Sequence, residues 1–243
     1  MAVLGLAIFA YSATTSVAQA PAQTGQPFGQ PAGQAIGQPT ALASGNVDLA
    51  RSRVFIFVGK SGFGHEHGVE GLLSSGTLQL GAAQNAGQLV FDMRTFDADT
   101  PVARKYVGLK GTTDESTRKQ VNDNMRGAAV LDVSRYPTAT FKINAARQLA
   151  QKSRNGNLQY LLDGVFTLHG VSRPLQVAVV SIPQQGATRV AGNFEIQQTQ
   201  FGIKPFSKGL GLVGVTDELR IYGDLQLTTA PRAAQSSGQG VRQ

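Results

Sequence analysis

Alternation of apolar and polar residues is most regular between residues 160 and 179. In the first half of this stretch, Tyr160, Leu162 and Phe166 fall on one face and polar residues fall on the other. A period of two is typical of a strand with one face buried. Gly170 then supplies a turn, and the apolar face resumes after it. The stretch therefore predicts an antiparallel pair of strands with one side in a core.

Shorter runs of the same kind occur along most of the chain. Further strands are predicted at residues 53–59, 69–80, 88–96, 129–133, 138–148, 188–198 and 218–228. These runs are separated by turn signals and show no alternation of strands with long helices. An antiparallel sheet with one apolar face has to curl or close to bury that face and protect its edges. The pattern therefore predicts an all-β fold, a closed or nearly closed antiparallel barrel of about eight strands.

One segment has helical spacing instead. Residues 112–115 have the spacing of a capping box, Val121 and Met125 are four residues apart, and Gly127 follows the last helical position at Arg126. We expect one short helix that packs across the sheet or over its end.

The two ends of the chain differ in composition from the centre. Residues 1–20 form a short apolar run followed by a small-x-small site, which predicts a signal peptide cleaved near Ala20 and a periplasmic or secreted protein. An uncleaved N-terminal anchor is the alternative. Residues 21–46 repeat a Gly-Gln-Pro unit and predict a disordered linker. The folded domain is expected at 47–230, with a disordered tail at 231–243.

Composition narrows the classes of function. The 243 residues include no cysteine and no tryptophan, and the net charge is +7. The absence of cysteine excludes disulfides, a thiol nucleophile and a Cys-ligated zinc site. The basic residues are scattered singly, which argues against nucleic-acid binding and is compatible with weak contact with an anionic membrane surface.

Chemical motifs are few. Residues 209–214 have the letters of a dinucleotide-binding loop, but a strand pattern follows them where a helix would be required, so no cofactor is predicted. No nucleophile elbow or paired-carboxylate motif indicates an enzyme. His65 and His67 are two residues apart and could share a metal ion, with His169 as the remaining histidine. We favour the alternative that all three histidines lie at the mouth of a cavity.

Several segments together resemble a known family. The run GVFTLHGVSRPL at 164–175 is similar to the central signature of the YceI-like family of lipid-binding proteins. Three further segments are similar to the same family. They are residues 47–52 together with Phe57 at the first strand, residues 135–137 together with Phe141 after the helix, and residues 200–203 before the last strand. The resemblance implies a lipocalin-like barrel, exported from the cytoplasm, that holds a polyisoprenoid-type chain in its interior.

This resemblance favours a hollow barrel, although alternation alone fits a filled one equally well. The residues expected to line the cavity are the apolar side chains assigned to the inner face, namely Phe55, Phe57, Phe91, Met93, Phe141, Tyr160, Leu162, Phe166, Val177, Phe194 and Ile221. Two alternatives stay open: an envelope protein with a metal site at His65 and His67, and a solid structural or stress-related barrel without a ligand.

Overall fold

A computed structural model of the chain describes residues 44–229. The predicted signal peptide, the predicted tail and all but the last residues of the predicted linker lie outside this range. The first strand begins at Ser44, earlier than the predicted start of the domain at Val47. No helix within residues 44–229 is long and apolar enough to cross a bilayer.

Within residues 44–229, ten strands and three short helical segments follow one another. The strands are β1 (Ser44–Val47), β2 (Arg53–Gly62), β3 (His67–Gln79), β4 (Gly87–Ala98), β5 (Thr138–Gln148), β6 (Leu158–Leu168), β7 (Val171–Gln184), β8 (Ala187–Gln197), β9 (Ser207–Lys208) and β10 (Val213–Thr229). The α-helices are α1 (Pro101–Tyr106) and α2 (Glu115–Arg126), and a 3₁₀ turn, η1, spans Gln198–Phe201.

Eight of the strands form a closed antiparallel barrel. Strands β2 to β8 pair in chain order, and β10 pairs with both β2 and β8, so the sheet has no free long edge. The short strand β1 lies between β10 and β3 and pairs with both, and the short strand β9 pairs with β10. The prediction of a closed antiparallel barrel of eight strands is confirmed.

One end of the barrel is filled by side chains, and we call it the plugged end. Strand β1 pairs there with the end of β3 and with the end of β10. The plug consists of fully buried apolar residues, namely Leu78, Leu80, Ala86, Ile143, Ala146 and Leu227. This close packing leaves no passage for a chain molecule at that end.

The opposite end, which we call the helix end, is where β2 finishes at Gly62 and β3 begins at His67. Helix α2 begins after Asp114, whose side chain accepts a hydrogen bond from the Thr117 N–H, and it ends at Gly127 as predicted. The additional helix α1 was not predicted.

The predicted strand at 129–133 is wrong. This segment forms successive turns in which backbone hydrogen bonds stay local, because the N–H groups of Val130 and Asp132 donate to the Gly127 carbonyl. Asp132 has a φ of 42°, a left-handed conformation that a strand does not contain. The apolar residues of this run instead cover the helix end of the barrel.

The contact between β10 and the start of β2 depends on a buried hydroxyl group. Ser52 is 0% exposed, and its Oγ accepts a hydrogen bond of 2.9 Å from the Gln226 N–H. Replacement by alanine leaves that buried N–H unpaired, so we expect Ser52→Ala to lower the free energy of unfolding by about 1–3 kcal/mol. Urea unfolding measures this change.

A matched control is Ser74→Ala, because Ser74 is exposed and its hydroxyl makes only a 3.4 Å contact with the Val90 carbonyl. We expect the control to change stability by less than about 0.5 kcal/mol. Equal stability of the two variants would show that the Ser52 hydroxyl does not support the closure.

Candidate functional site

The barrel encloses a cavity of about 230 Å³ between the plugged end and the helix end. A single water molecule needs roughly 10–15 Å³ of such space, so the cavity is many times larger than a packing defect. The barrel is therefore hollow.

The cavity wall is apolar along its length. Every barrel strand contributes inward side chains, which include Val54, Ile56, Val58, Val69, Leu89, Phe91, Met93, Ala139, Phe141, Leu162, Phe166, Val177, Val179, Val190, Phe194, Ile196, Leu219, Ile221 and Leu225. Polar side chains in the lining are His67, Asn124 and Gln198. All three belong to elements at the helix end, so the polarity of the cavity rises from one end to the other.

A glycine of β10, Gly223, leaves open space on the cavity wall. Gly223 of β10 pairs directly with Gly192 of β8, and both line the cavity. Gly223 follows Ile221 on the inner face, and a Cβ atom built on it would meet no atom within 4 Å. A Cβ atom on Gly192 would instead lie 2.8 Å from Val179 Cγ1, so only Gly223 of this pair leaves open space on the wall. The missing side chain could be predicted from the period-two pattern of β10, because Gly223 occupies an inward position in that pattern.

Most of the side chains expected in the cavity do lie on its wall. These are Phe91, Met93, Phe141, Leu162, Phe166, Val177, Phe194 and Ile221. Their role in holding a ligand stays a prediction.

The prediction that Phe55 and Phe57 line the cavity is corrected. The face of β2 that lines it carries Val54, Ile56 and Val58, whereas Phe55 is stacked on Tyr106 of α1, with ring centroids 3.9 Å apart. Phe57 is two residues from Phe55 and shares its face. The pattern was ambiguous because β2 is apolar on both faces, and the unpredicted helix α1 covers the outer one.

Tyr160 also lies off the cavity wall. It is buried, and its backbone pairs with Gln148 at the last positions of β5. This places Tyr160 near the plugged end, below the last lining residue of β6, Leu162.

Helix α2 and the turns after it cover the helix end of the cavity. Val121 and Met125, the predicted apolar pair, both line it, as do Val130 and Leu131 in the turns that follow. Of the two predicted positions, across the sheet or over its end, the structure has the second, because the apolar face of α2 packs against the interior of the barrel.

A buried carboxylate organises the histidine cluster at the helix end. Asp99 is 3% exposed; its Oδ2 lies 2.7 Å from His67 Nδ1, and its Oδ1 accepts hydrogen bonds from Arg104 Nη1 at 3.0 Å and from the Gly68 N–H at 3.2 Å. Burial opposes ionisation of Asp99, but His67, Arg104 and the Gly68 N–H outweigh burial and lower its pKa to about 2.

The three predicted histidines have different surroundings. The ring of His65 lies beside that of His67, with centroids 4.6 Å apart, and only His67 reaches the cavity wall. His169 occupies the turn between β6 and β7, where its ring packs on Tyr136 at 4.2 Å.

The cluster has the ligand types of a metal site. One ligand atom from each of His65, His67 and Asp99 lies within 4.8 Å of the other two. Asp99 is already bonded to the Arg104 guanidinium, whose positive charge disfavours a nearby cation. His169 does not belong to this group.

Comparison with known proteins places the chain in a family. The YceI-like domain matches residues 46–227, which is most of the chain and the whole barrel. The chain belongs to the YceI-like family. A UPF0312 protein of Azotobacter vinelandii is 31% identical over 85 residues, a segment that covers 35% of this chain and 41% of the relative. The match thus spans less than half of the relative's length.

One solved structure shares the fold. A polyisoprenoid binding domain from Saccharophagus degradans, implicated in plant cell wall breakdown, superposes with a TM-score of 0.53 at 14% identity, over 78% of this chain and 99% of that domain. BcnA of Burkholderia cenocepacia is 21% identical over 75% of this chain and 99% of its own, with a TM-score of 0.48. At such identities the likeness to the Saccharophagus domain concerns the fold alone.

The lowered pKa of Asp99 predicts a dependence of stability on pH. A carboxyl group with a depressed pKa stabilises the fold at pH values above its unfolded pKa near 4, and this contribution is lost as the pH falls towards about 2. We expect Asp99→Asn to lower the free energy of unfolding by about 2 kcal/mol at pH 7 and by much less near pH 2. Urea unfolding at the two pH values measures the difference.

The control is Asp123→Asn, which removes an exposed ion pair with Lys119. Its effect should stay below about 1 kcal/mol at either pH. A loss for Asp99→Asn that is the same at pH 7 and near pH 2 would contradict the role of the ionised carboxylate.

Proposed function

We propose that this protein binds an apolar chain lipid, of the polyisoprenoid type, inside its barrel. It acts as a carrier or storage protein in the periplasm or outside the cell, and it binds its lipid without chemical conversion. The observation that carries the proposal is the hollow, apolar interior of about 230 Å³.

Burial of apolar surface supplies the affinity. Each methylene group transferred from water to such a wall contributes about 0.8 kcal/mol, less the cost of ordering the chain and the protein. A branched isoprenoid presents methyl groups along its length, and the mixed aliphatic and aromatic wall offers contacts to them.

The polar residues determine the direction of the chain. His67, Asn124 and Gln198 lie at the helix end, whereas the plugged end consists of buried apolar side chains. A lipid with a polar head group therefore binds with its tail towards the plug and its head group at the helix end, where hydrogen bonds replace those lost to water.

Two further observations support the proposal. The fold neighbour from Saccharophagus degradans is described as a polyisoprenoid binding domain, which makes an isoprenoid the first chain class to test. The signal-peptide pattern of residues 1–20 supports export.

A second candidate function is cation binding at the histidine cluster, favoured by the convergence of His65, His67 and Asp99. The test is calorimetric titration of the full chain with Zn²⁺ beside the His65→Ala variant. Stoichiometric binding that the variant loses would support a metal site, and weak binding equal in both proteins would exclude it.

Gly223 allows a direct test of lipid binding. We expect Gly223→Phe to fold normally, because no atom lies within 4 Å of the added Cβ, and to lower affinity for an isoprenoid at least tenfold because the ring occupies the cavity. Fluorescence titration with retinol, an isoprenoid alcohol, measures the affinity, and thermal unfolding reports the fold. Parinaric acid, an unbranched fluorescent fatty acid, tests the alternative chain class.

Gly223→Ala is the graded control, since a single methyl group at the same site leaves most of the cavity free. It should bind retinol nearly as well as the natural chain. A folded Gly223→Phe variant with unchanged affinity would show that the ligand does not occupy the barrel.

A further inference from the structure

Two neighbouring loops at the helix end expose large apolar side chains. Phe63, between β2 and β3, is 86% exposed, and Leu212, just before β10, is 60% exposed. Leu210 in the same loop is fully exposed. We call residues 62–64 and 209–213 the loop tip. Exposed apolar residues grouped in this way mark a contact surface more often than scattered ones do.

Backbone pairing holds the loop tip together. The Phe63 N–H donates a hydrogen bond of 2.8 Å to the Leu212 carbonyl, and Gly62 pairs with Val213. Val213 also pairs with Lys208 of β9. The apolar side chains therefore stand on an extension of the barrel wall formed by β2, β10 and β9.

Exposed lysines are close in sequence to these side chains. Lys60, Lys204 and Lys208 are exposed, and they are the lysines of segments 60–67 and 204–214, which contain one acidic residue, Glu66. Apolar side chains flanked by lysines are the arrangement that partitions into the interface of an anionic bilayer.

The loop tip continues directly into the cavity wall. Val58 of β2 and Val215 of β10 line the cavity, and the Val215 N–H donates a hydrogen bond of 3.0 Å to the carbonyl of Phe206, another lining residue. A surface bound at the loop tip would therefore lie next to the polar end of the cavity.

We propose that the loop tip docks this protein on an anionic lipid bilayer. Phe63, Leu210 and Leu212 enter the head-group region, while Lys60, Lys204 and Lys208 contact lipid phosphates. Docking brings the helix end of the barrel to the membrane, where a chain lipid can be exchanged. This role in exchange rests on the proposed function, whereas the docking itself does not.

Two features favour an anionic bilayer over a protein partner. The lysines complement the charge of the bilayer, and three separate apolar side chains form a contact far smaller than a stable protein interface.

The test is flotation of the full chain with phosphatidylcholine vesicles, with and without phosphatidylglycerol. We expect the protein to float with the anionic vesicles, and the combined variant F63S/L210S/L212S to bind them at least about tenfold more weakly. Replacing Lys60, Lys204 and Lys208 by glutamine should remove the preference for phosphatidylglycerol. Because all variants keep the same N-terminal segment, differences between them report the loop tip.

The matched control is L49S/L72S, which removes two exposed leucines away from the loop tip and should leave flotation unchanged. Equal flotation of the natural chain and F63S/L210S/L212S would overturn the proposal, as would a natural chain that does not float. So would a dimer, detected by light scattering, that the variant loses, because the loop tip would then bind a second copy of the chain.

Retinol titration of the same proteins separates docking from lipid binding. The loop-tip variants should bind retinol from solution as the natural chain does, since none of the replaced residues lines the cavity. Loss of flotation with retinol binding intact supports the docking surface. If the protein floats with the vesicles but binds neither retinol nor parinaric acid, the proposed function is contradicted. The docking surface is still supported by that result.

Discussion

Closure of the sheet through β10 is the constraint on which the rest of the structure depends. This strand pairs with β8 along eleven successive positions, Glu218 to Thr228, and with β2 on its other side. Without it, β2 and β8 would be free edges and the inner faces of the sheet would be open to water. Closure fixes which side chains face inward, and hence the shape of the cavity.

The cavity exists because the inward-facing side chains do not fill the interior of the closed barrel. Eight strands enclose an interior that side chains can just fill. At the plugged end they do so with leucine, isoleucine and alanine. Higher in the barrel, Gly223 faces open space, since a Cβ atom built on it would meet no atom within 4 Å. The same barrel thus contains a closely packed plugged end and a cavity. The polar groups of the cavity lie at the helix end, so its two ends differ in polarity.

Much of this architecture could be predicted from the sequence, because long strands with one buried face carry a strong period of two. The end of α2 was also predictable from Gly127, but its start was not, because the N-cap is Asp114 and the capping-box spacing of residues 112–115 implies Thr112. The inner face of β2 was not, since valine and isoleucine alternate with phenylalanine there and the choice depends on α1, a helix of six residues. Asp99 was missed as the partner of His67 because the two residues are 32 positions apart in the chain and meet only where β3 pairs with β4.

The central claim is that the hollow barrel holds a lipid chain, and native mass spectrometry of the full chain tests it most directly. The protein is produced in a host that makes isoprenoids and is measured intact and after organic extraction. The account predicts a discrete mass increment that extraction removes and that matches one extracted chain lipid. A protein that carries only the mass of its polypeptide, and that gains none when incubated with isoprenoid alcohols, would contradict it.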